Sequence, residues 1–114
     1  MKRRVIVYSL VVVSFLVGAT AFAAGSVTAN ITNVRVSSDG KAIIFFSASL
    51  SGSPSCASSS PSELSFDSTT PAGKSFLSLA LAAKLGHAGV FAGGTGTCSV
   101  FAGDEALAVL ILMD

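Results

Sequence analysis

Two patterns of hydrophobic and polar positions divide this 114-residue chain. Residues 5–17 form an almost unbroken apolar run, whereas the sequence from residue 24 onward has short apolar stretches separated by serine, glycine and aspartate. Several of these short stretches alternate with a period of two, which is typical of β-strands. The pattern therefore predicts an apolar leader followed by a mainly β domain.

The first half of the domain predicts two strands joined by a hairpin. Residues 27–36 (VTANITNVRV) alternate with a one-residue slip near Asn33, which predicts a strand with a β-bulge. Asp39-Gly40 is a strong hairpin signal. Residues 42–50 (AIIFFSASL) begin with apolar residues on both faces, so we expect a central strand.

The second half predicts a serine-rich loop and further strands. Residues 51–62 contain seven serines and two prolines, so no packed element is expected there. Short apolar stretches predict strands at residues 63–67, 87–93 and 106–113, the last of them buried by composition. Residues 94–100 predict a glycine-rich turn that leads into a strand segment.

One helix is predicted between the third and fourth strands. Thr70 is a good N-cap, Pro71 suits the first helical position, and Gly86 ends a run of about 15 residues. Apolar residues at helical spacing form its inner stripe: Phe76, Leu77, Leu79, Ala80, Leu81, Ala83 and Leu85. Five strands with this helix predict an α+β, mainly β fold, a five-stranded antiparallel barrel of the OB type.

The leader has the features of a secretory signal peptide. Basic residues precede its apolar run, and Ala21 and Ala23 form the small-residue pattern that a signal peptidase accepts. We therefore expect removal of residues 1–23 during bacterial export to the periplasm or the medium, which leaves one domain, residues 24–114. An uncleaved anchor is the alternative, since about 20 apolar residues can span a bilayer.

Removal of the leader changes the charge of the chain. The remaining 91 residues carry four basic and six acidic side chains, a formal net charge of −2. No basic patch remains to hold a phosphate backbone, so nucleic acid is not expected as a partner. The last apolar stretch, residues 106–113, is too short to cross a membrane, so no membrane association is expected after cleavage.

Both cysteines, Cys56 and Cys98, lie in the predicted mature part. In an oxidising compartment a lone pair of cysteines most simply forms one disulfide. This disulfide would close the chain between Cys56 and Cys98 into a loop, and the chain-entropy argument assigns a loop of this length about 4 kcal/mol of stability. A metal site is the competing interpretation, but two cysteines and one histidine fall short of the four ligands of a structural zinc site.

Two glycine-containing motifs resemble nucleotide-binding loops but lack essential positions. Gly73-Lys74-Ser75 could close a phosphate-binding loop, yet the glycine needed five residues earlier is Ser68. Residues 93–99 resemble a dinucleotide fingerprint, but Ser99 takes the place of its third glycine. We expect a helix start and a tight turn instead, and no cofactor.

Candidate catalytic residues are few. His87 is the single histidine and follows the predicted helix end, where a structural role is expected. A hydrolase that uses His87 remains an alternative, although no nucleophile-elbow motif is present. Asp104-Glu105 are adjacent carboxylates, and neighbours in a strand point to opposite faces, so we do not expect them to work as a general acid/base pair. We expect a solvated turn at this position. The chain is therefore not expected to be an enzyme.

Two phenylalanines flank the turn that carries Cys98. Because the predicted mature chain has neither tryptophan nor tyrosine, only phenylalanine could offer an aromatic face to a sugar. Phe91 and Phe101 are the candidates, and the alternative is that both belong to the core, as their residue type favours.

The mature chain resembles the small exported proteins similar to the subtilase cytotoxin B subunit. The resemblance lies in the leader, the first strand ANITNVRV, the second strand leading to a loop cysteine, and the block TTPAGKSFLSLALAAKLGHAGVFAGGTGTCS. In this block a helix of the LALAAK.G type runs into a short strand and a cysteine turn. The resemblance covers most of the domain, and no sugar-contacting residue of the toxin can be matched to it.

The resemblance implies an OB-type barrel, a ring of five subunits with the helix towards the central pore, and glycan recognition on the outer surface. Ala80, Ala82 and Ala83 would allow helices to approach closely in such a ring. The expected function is thus an exported, non-enzymatic binding module for a glycan or a protein surface. The alternative is a structural or interaction protein of the bacterial envelope without a small-molecule ligand.

Overall fold

The computed structural model describes residues 24–113, so the predicted signal peptide, residues 1–23, lies outside the described residues. The described chain forms a five-stranded antiparallel sheet with one helix. The elements are β1 Ser26–Val36, β2 Lys41–Phe46, β3 Glu63–Asp67, α1 Pro71–Leu85, β4 Gly89–Gly94 and β5 Leu107–Leu112. The α+β, mainly β class and the place of the helix between the third and fourth strands are confirmed.

The sheet has the strand order β3-β2-β1-β4-β5, with the long strand β1 at its centre. β1 pairs with β4 through its first half and with β2 through its second half. A register shift between Ile31 and Asn33 marks the predicted bulge, and a bulge bends a strand so that its halves can serve different neighbours. The edge strands β3 and β5 meet only at one parallel bridge, Ser65 to Ala106, so the sheet is not closed into a barrel.

The core lies between the inner face of this curved sheet and helix α1. Its fully buried side chains include Ile44, Leu64 and Val90 from three different strands. Helix α1 covers them through Ala80 and Ala83, whose small side chains let it approach closely. The inner stripe of the helix is narrower than the sequence predicts, because Leu81 and Leu85 point to solvent with 44% and 80% exposure.

The helix begins as predicted. The Thr70 side chain accepts a hydrogen bond from the Gly73 N–H at 2.9 Å, and Pro71 occupies the first turn. Gly73 is buried, and a Cβ at this position would collide with the backbone carbonyl of Asp67. Glycine therefore lets the first turn of α1 lie directly on the end of β3.

Three predicted strand segments differ from the structure. β2 ends at Phe46, so residues 47–50 are not part of it, and residues 95–100 form a loop without a strand. β5 is not buried along its length, since only Leu107 and Leu110 face the core. The reason is that an antiparallel sheet commonly packs one face on the core, so the side chains of β5 that do not face the core are exposed to solvent.

A disulfide joins Cys56 to Cys98, as predicted, with their Cα atoms 6.2 Å apart. It connects the serine-rich loop, which contains a short 3₁₀ turn at Ser55–Ala57, to the loop after β4. A disulfide indicates an oxidising, non-cytoplasmic environment. Within residues 24–113 no helix is long and apolar enough to cross a membrane.

Candidate functional site

A groove on the outer face of the sheet is the best candidate for a binding site. It has a volume of about 340 Å³ and is formed by β1, β4 and the segment after β2. Its lining residues are Ser26, Val27, Thr28, Ala48, Ser49, Ser51 and Phe91. A larger depression of about 460 Å³ is lined by helix α1 alone, so it brings together no separate elements. The outer groove brings together β1, β4 and the segment after β2, and we call it the Phe91 groove.

Strand alternation explains why an aromatic ring lies in this groove. Val90 and Ala92 of β4 are buried in the core, so Phe91 between them points to the outer face. Thr28 lies directly opposite Phe91 on β1, and Ile111 lies opposite on β5. Phe91 is therefore half-buried among cross-strand neighbours, with part of its ring open to the groove.

Backbone pairing holds the far wall of the groove in place. The Ser26 N–H donates to the Ser51 carbonyl at 3.0 Å, and the Ser51 N–H donates back to Ser26 at 2.9 Å. This pair fixes the segment after β2 against the start of β1. The hydroxyl-bearing residues Ser49 and Ser51 are exposed on this wall.

Among the described residues, no charged side chain lines the Phe91 groove. Its polar side chains carry hydroxyls, which both donate and accept hydrogen bonds, and its exposed apolar side chains are those of Phe91 and Ala48, since Val27 belongs to the core. This combination suits an uncharged ligand that has hydroxyl groups on its rim and C–H groups on one face.

Phe101, the second aromatic candidate, lies apart from this groove. It is half-buried in the loop after Cys98, and the Lys41 ammonium lies 5.4 Å from the centre of its ring. This cation–π contact occupies one face of the Phe101 ring. Neither Phe91 nor Phe101 belongs to the core, so the alternative that both are core residues is wrong.

Asp104 and Glu105 do not form a solvated turn, because their exposed fractions are only 7% and 0%. The two side chains point in different directions, as expected for neighbours in an extended chain. Glu105 accepts hydrogen bonds from the backbone N–H groups of Gly25 and Gly96, whereas Asp104 lies against Glu63. Sequence reasoning missed their burial because it depends on long-range contacts that neither residue signals locally.

Glu63 and Asp104 form a pair of interacting carboxyl groups. Burial and, after it, the neighbouring Asp104 together raise the pKa of Glu63 to about 7, while Arg35 acts in the opposite direction. The Oδ1 atom of Asp104 is buried and has no hydrogen-bond donor among the described residues. Two ionised carboxylates have no proton to share, so the protonated form of Glu63 is the one that can donate a hydrogen bond to the Asp104 carboxylate.

His87 lies at the end of helix α1 and is exposed. Its backbone has φ 53°, in the left-handed region, while the preceding Gly86 keeps a right-handed conformation at the C-cap. The chain therefore turns at His87 and not at the glycine. Among the described residues no group of three His, Cys, Asp or Glu side chains could hold a metal ion.

The two motifs that resemble nucleotide-binding loops form a helix start and a turn. Gly73, Lys74 and Ser75 form the first turn of α1, where the glycine packs on β3. Gly93 and Gly94 end β4, and Thr95 and Thr97 stabilise the following turn through hydroxyl groups 2.8 Å apart. No helix follows this turn within the described residues, as a dinucleotide site would require.

Comparison of the chain with family models, with curated proteins and with solved structures gave no match.

Proposed function

We propose that this chain is an exported, non-enzymatic binding module with an OB-like fold, and that the Phe91 groove receives a neutral glycan. The observation that carries the proposal is the half-buried Phe91 in the groove, beside the hydroxyl-bearing residues Thr28, Ser49 and Ser51. A pyranose ring presents C–H groups on one face and hydroxyls around its edge, which matches this arrangement.

The OB-like fold is supported by the arrangement of the strands. OB folds are five-stranded, partly open barrels, and here β3 and β5 approach each other at the Ser65–Ala106 bridge. Along the chain three strands, the helix and two further strands follow one another, which is the element order that the sequence predicts for an OB-type fold. Export is supported by the leader pattern and by the Cys56–Cys98 disulfide.

Phe91→Ala in the mature protein tests the glycan proposal on a glycan array, followed by titration of the best hit. We expect wild-type binding to one class of neutral glycan and at least tenfold weaker binding of Phe91→Ala, about 1.4 kcal/mol. Phe101→Ala is the matched control, since its ring is half-buried but lies outside the groove. Equal losses in both variants, or a flat array, would overturn the proposal.

A second function is favoured by a different observation. Strand β5 and the residue after it expose four large apolar side chains at the edge of the sheet, each by 39–49%: Val109, Ile111, Leu112 and Met113. Such an apolar edge suits a protein partner, which is the role of a structural or interaction protein of the bacterial envelope. A flat glycan array together with stable association through β5 would support this function instead.

A further inference from the structure

Glu105 is a buried carboxylate in a cradle made by glycine backbone. Its side chain has no exposed surface, and its Oε2 accepts the Gly96 N–H at 2.8 Å. Both oxygens also accept the Gly25 N–H, at 3.0 and 3.1 Å. A Cβ at Gly25 would lie 2.6 Å from Oε1, and one at Gly94 would collide with Oε2. Only glycine leaves room for this carboxylate.

The donors that Glu105 has within residues 24–113 are uncharged amides. Burying a carboxylate is costly unless an opposite charge or several hydrogen bonds compensate for it. The side chains nearest to Gly25 are those of Glu105, Ser53 and Leu50, and only Glu105 among them titrates. A cation at this end of β1 would therefore compensate the charge of the buried Glu105 carboxylate.

The expected cleavage after Ala23 produces such a cation. It converts the Ala24 nitrogen from an amide into an α-ammonium group, one residue before Gly25. By covalent geometry the Ala24 nitrogen lies within about 4 Å of the Gly25 nitrogen, which itself contacts both Glu105 oxygens. Ala24 is exposed, so the new group lies at the rim of the buried carboxylate.

We propose that the α-ammonium group of Ala24, created by removal of the leader, pairs with Glu105, so that processing itself stabilises the mature fold. The pair would fasten the start of the described chain to Glu105, which lies just before β5. The neighbouring Gly25 carbonyl already accepts the Gly94 N–H, at the end of β4, at 2.8 Å. Before cleavage Ala24 carries no charge, and the donors to Glu105 among residues 24–113 are backbone amides. This inference rests on the proposed removal of residues 1–23.

A double-mutant cycle tests the pair in protein exported with its own leader. Insertion of Gly-Ser between Ala23 and Ala24 moves the ammonium group two residues away after cleavage. We expect the insertion to lower Tm by about 5 °C in the wild type and by much less in the Glu105→Gln background. Equal effects of the insertion in both backgrounds would overturn the proposal.

A second measurement uses the wild-type protein, so its result does not depend on whether a variant folds. The Ala24 methyl carbon, observed by NMR in the mature wild-type protein, reports the titration of its α-amino group. A partner carboxylate favours the charged form, so we expect the pKa of this group to be raised above that of an unpaired α-amino group. A value in the unpaired range would overturn the proposal.

N-terminal sequencing of the exported protein separates this inference from the function proposed above. A cut after Ala23 with an unpaired ammonium group overturns the ion pair and leaves glycan binding to be judged by the array. A cut at another site overturns the pair together with the predicted cleavage position.

Discussion

At the scale of single residues, the carboxyl pair of Glu63 and Asp104 couples stability to pH. The raised pKa of Glu63, about 7 against an ordinary value of 4.5, means that the folded chain holds this proton more tightly than the unfolded chain. Stability from this proton is therefore full below about pH 4.5 and is lost as the pH rises through 7.

We expect the free energy of unfolding to fall by about 1 kcal/mol between pH 5 and pH 8, measured by urea titration. The loss is smaller than the full pKa shift implies, because Glu63 keeps part of its surface in water. In Glu63→Gln this part of the pH dependence should disappear, since the amide donates to Asp104 at every pH. Asp39→Asn in the exposed hairpin is the control, and an unchanged profile in Glu63→Gln would contradict the assignment.

At the scale of secondary-structure elements, the contact between α1 and β3 depends on one glycine. Gly73 lies in the first helical turn against the Asp67 carbonyl, and the Thr70 cap anchors the same turn. Phe76 continues the contact one turn later with an edge-to-face packing on Phe66, the ring centres being 5.9 Å apart. The helix therefore has little freedom to move away from β3.

Gly73→Ala tests this contact. Helix propensity alone would favour alanine by about 1 kcal/mol, but the collision is with backbone, which cannot rotate away as a side chain can. We expect a net loss of about 2 kcal/mol in the free energy of unfolding by urea titration. Ser78→Ala, on the exposed side of α1, is the control and should change stability by less than about 0.5 kcal/mol. A stabilised Gly73→Ala would show that the helix can shift.

At the scale of the whole molecule, strand β5 leaves an unprotected edge. The Met113 N–H donates to the Gly89 carbonyl at 2.8 Å, so by alternation the backbone groups of Leu110 and Leu112 face away from β4. No charged residue or proline interrupts residues 106–113. Natural edge strands usually carry such interruptions, so this edge is suited to pairing with another chain.

We expect the mature protein to have a mass above that of one chain in light scattering. Lysine at an exposed edge position opposes strand pairing, so Ile111→Lys should return the mass to that of a single chain. Val36→Lys is a matched control, because Val36 is 50% exposed and Ile111 49%, but it lies at the end of β1. A five-fold mass would favour the ring implied by the resemblance, and a single-chain wild type would contradict association.

Local signals were sufficient for most of the elements. The bulge in β1, the turn before β2 and the cap of α1 each depend on a few adjacent residues, so their sequence patterns predict them correctly. The glycine-rich turn predicted within residues 94–100 is present, but the strand segment expected to carry Cys98 after it is not formed, because turn geometry there overrides a weak apolar pattern. The candidate site was less predictable, because the Phe91 groove needs β1, β4 and residues 48–51 in one place.

The sequence by itself determined the class of the fold, the helix between two sets of strands and the pairing of the only two cysteines. These follow from periodicity, capping residues and composition, which act over a few positions or over the chain as a whole. Only the tertiary structure decided that the sheet stays open, that β5 is an exposed edge and that Glu105 is buried against Gly25. The physical reason is that burial is a property of neighbours distant in sequence, and Gly25 and Glu105 are separated by 80 positions.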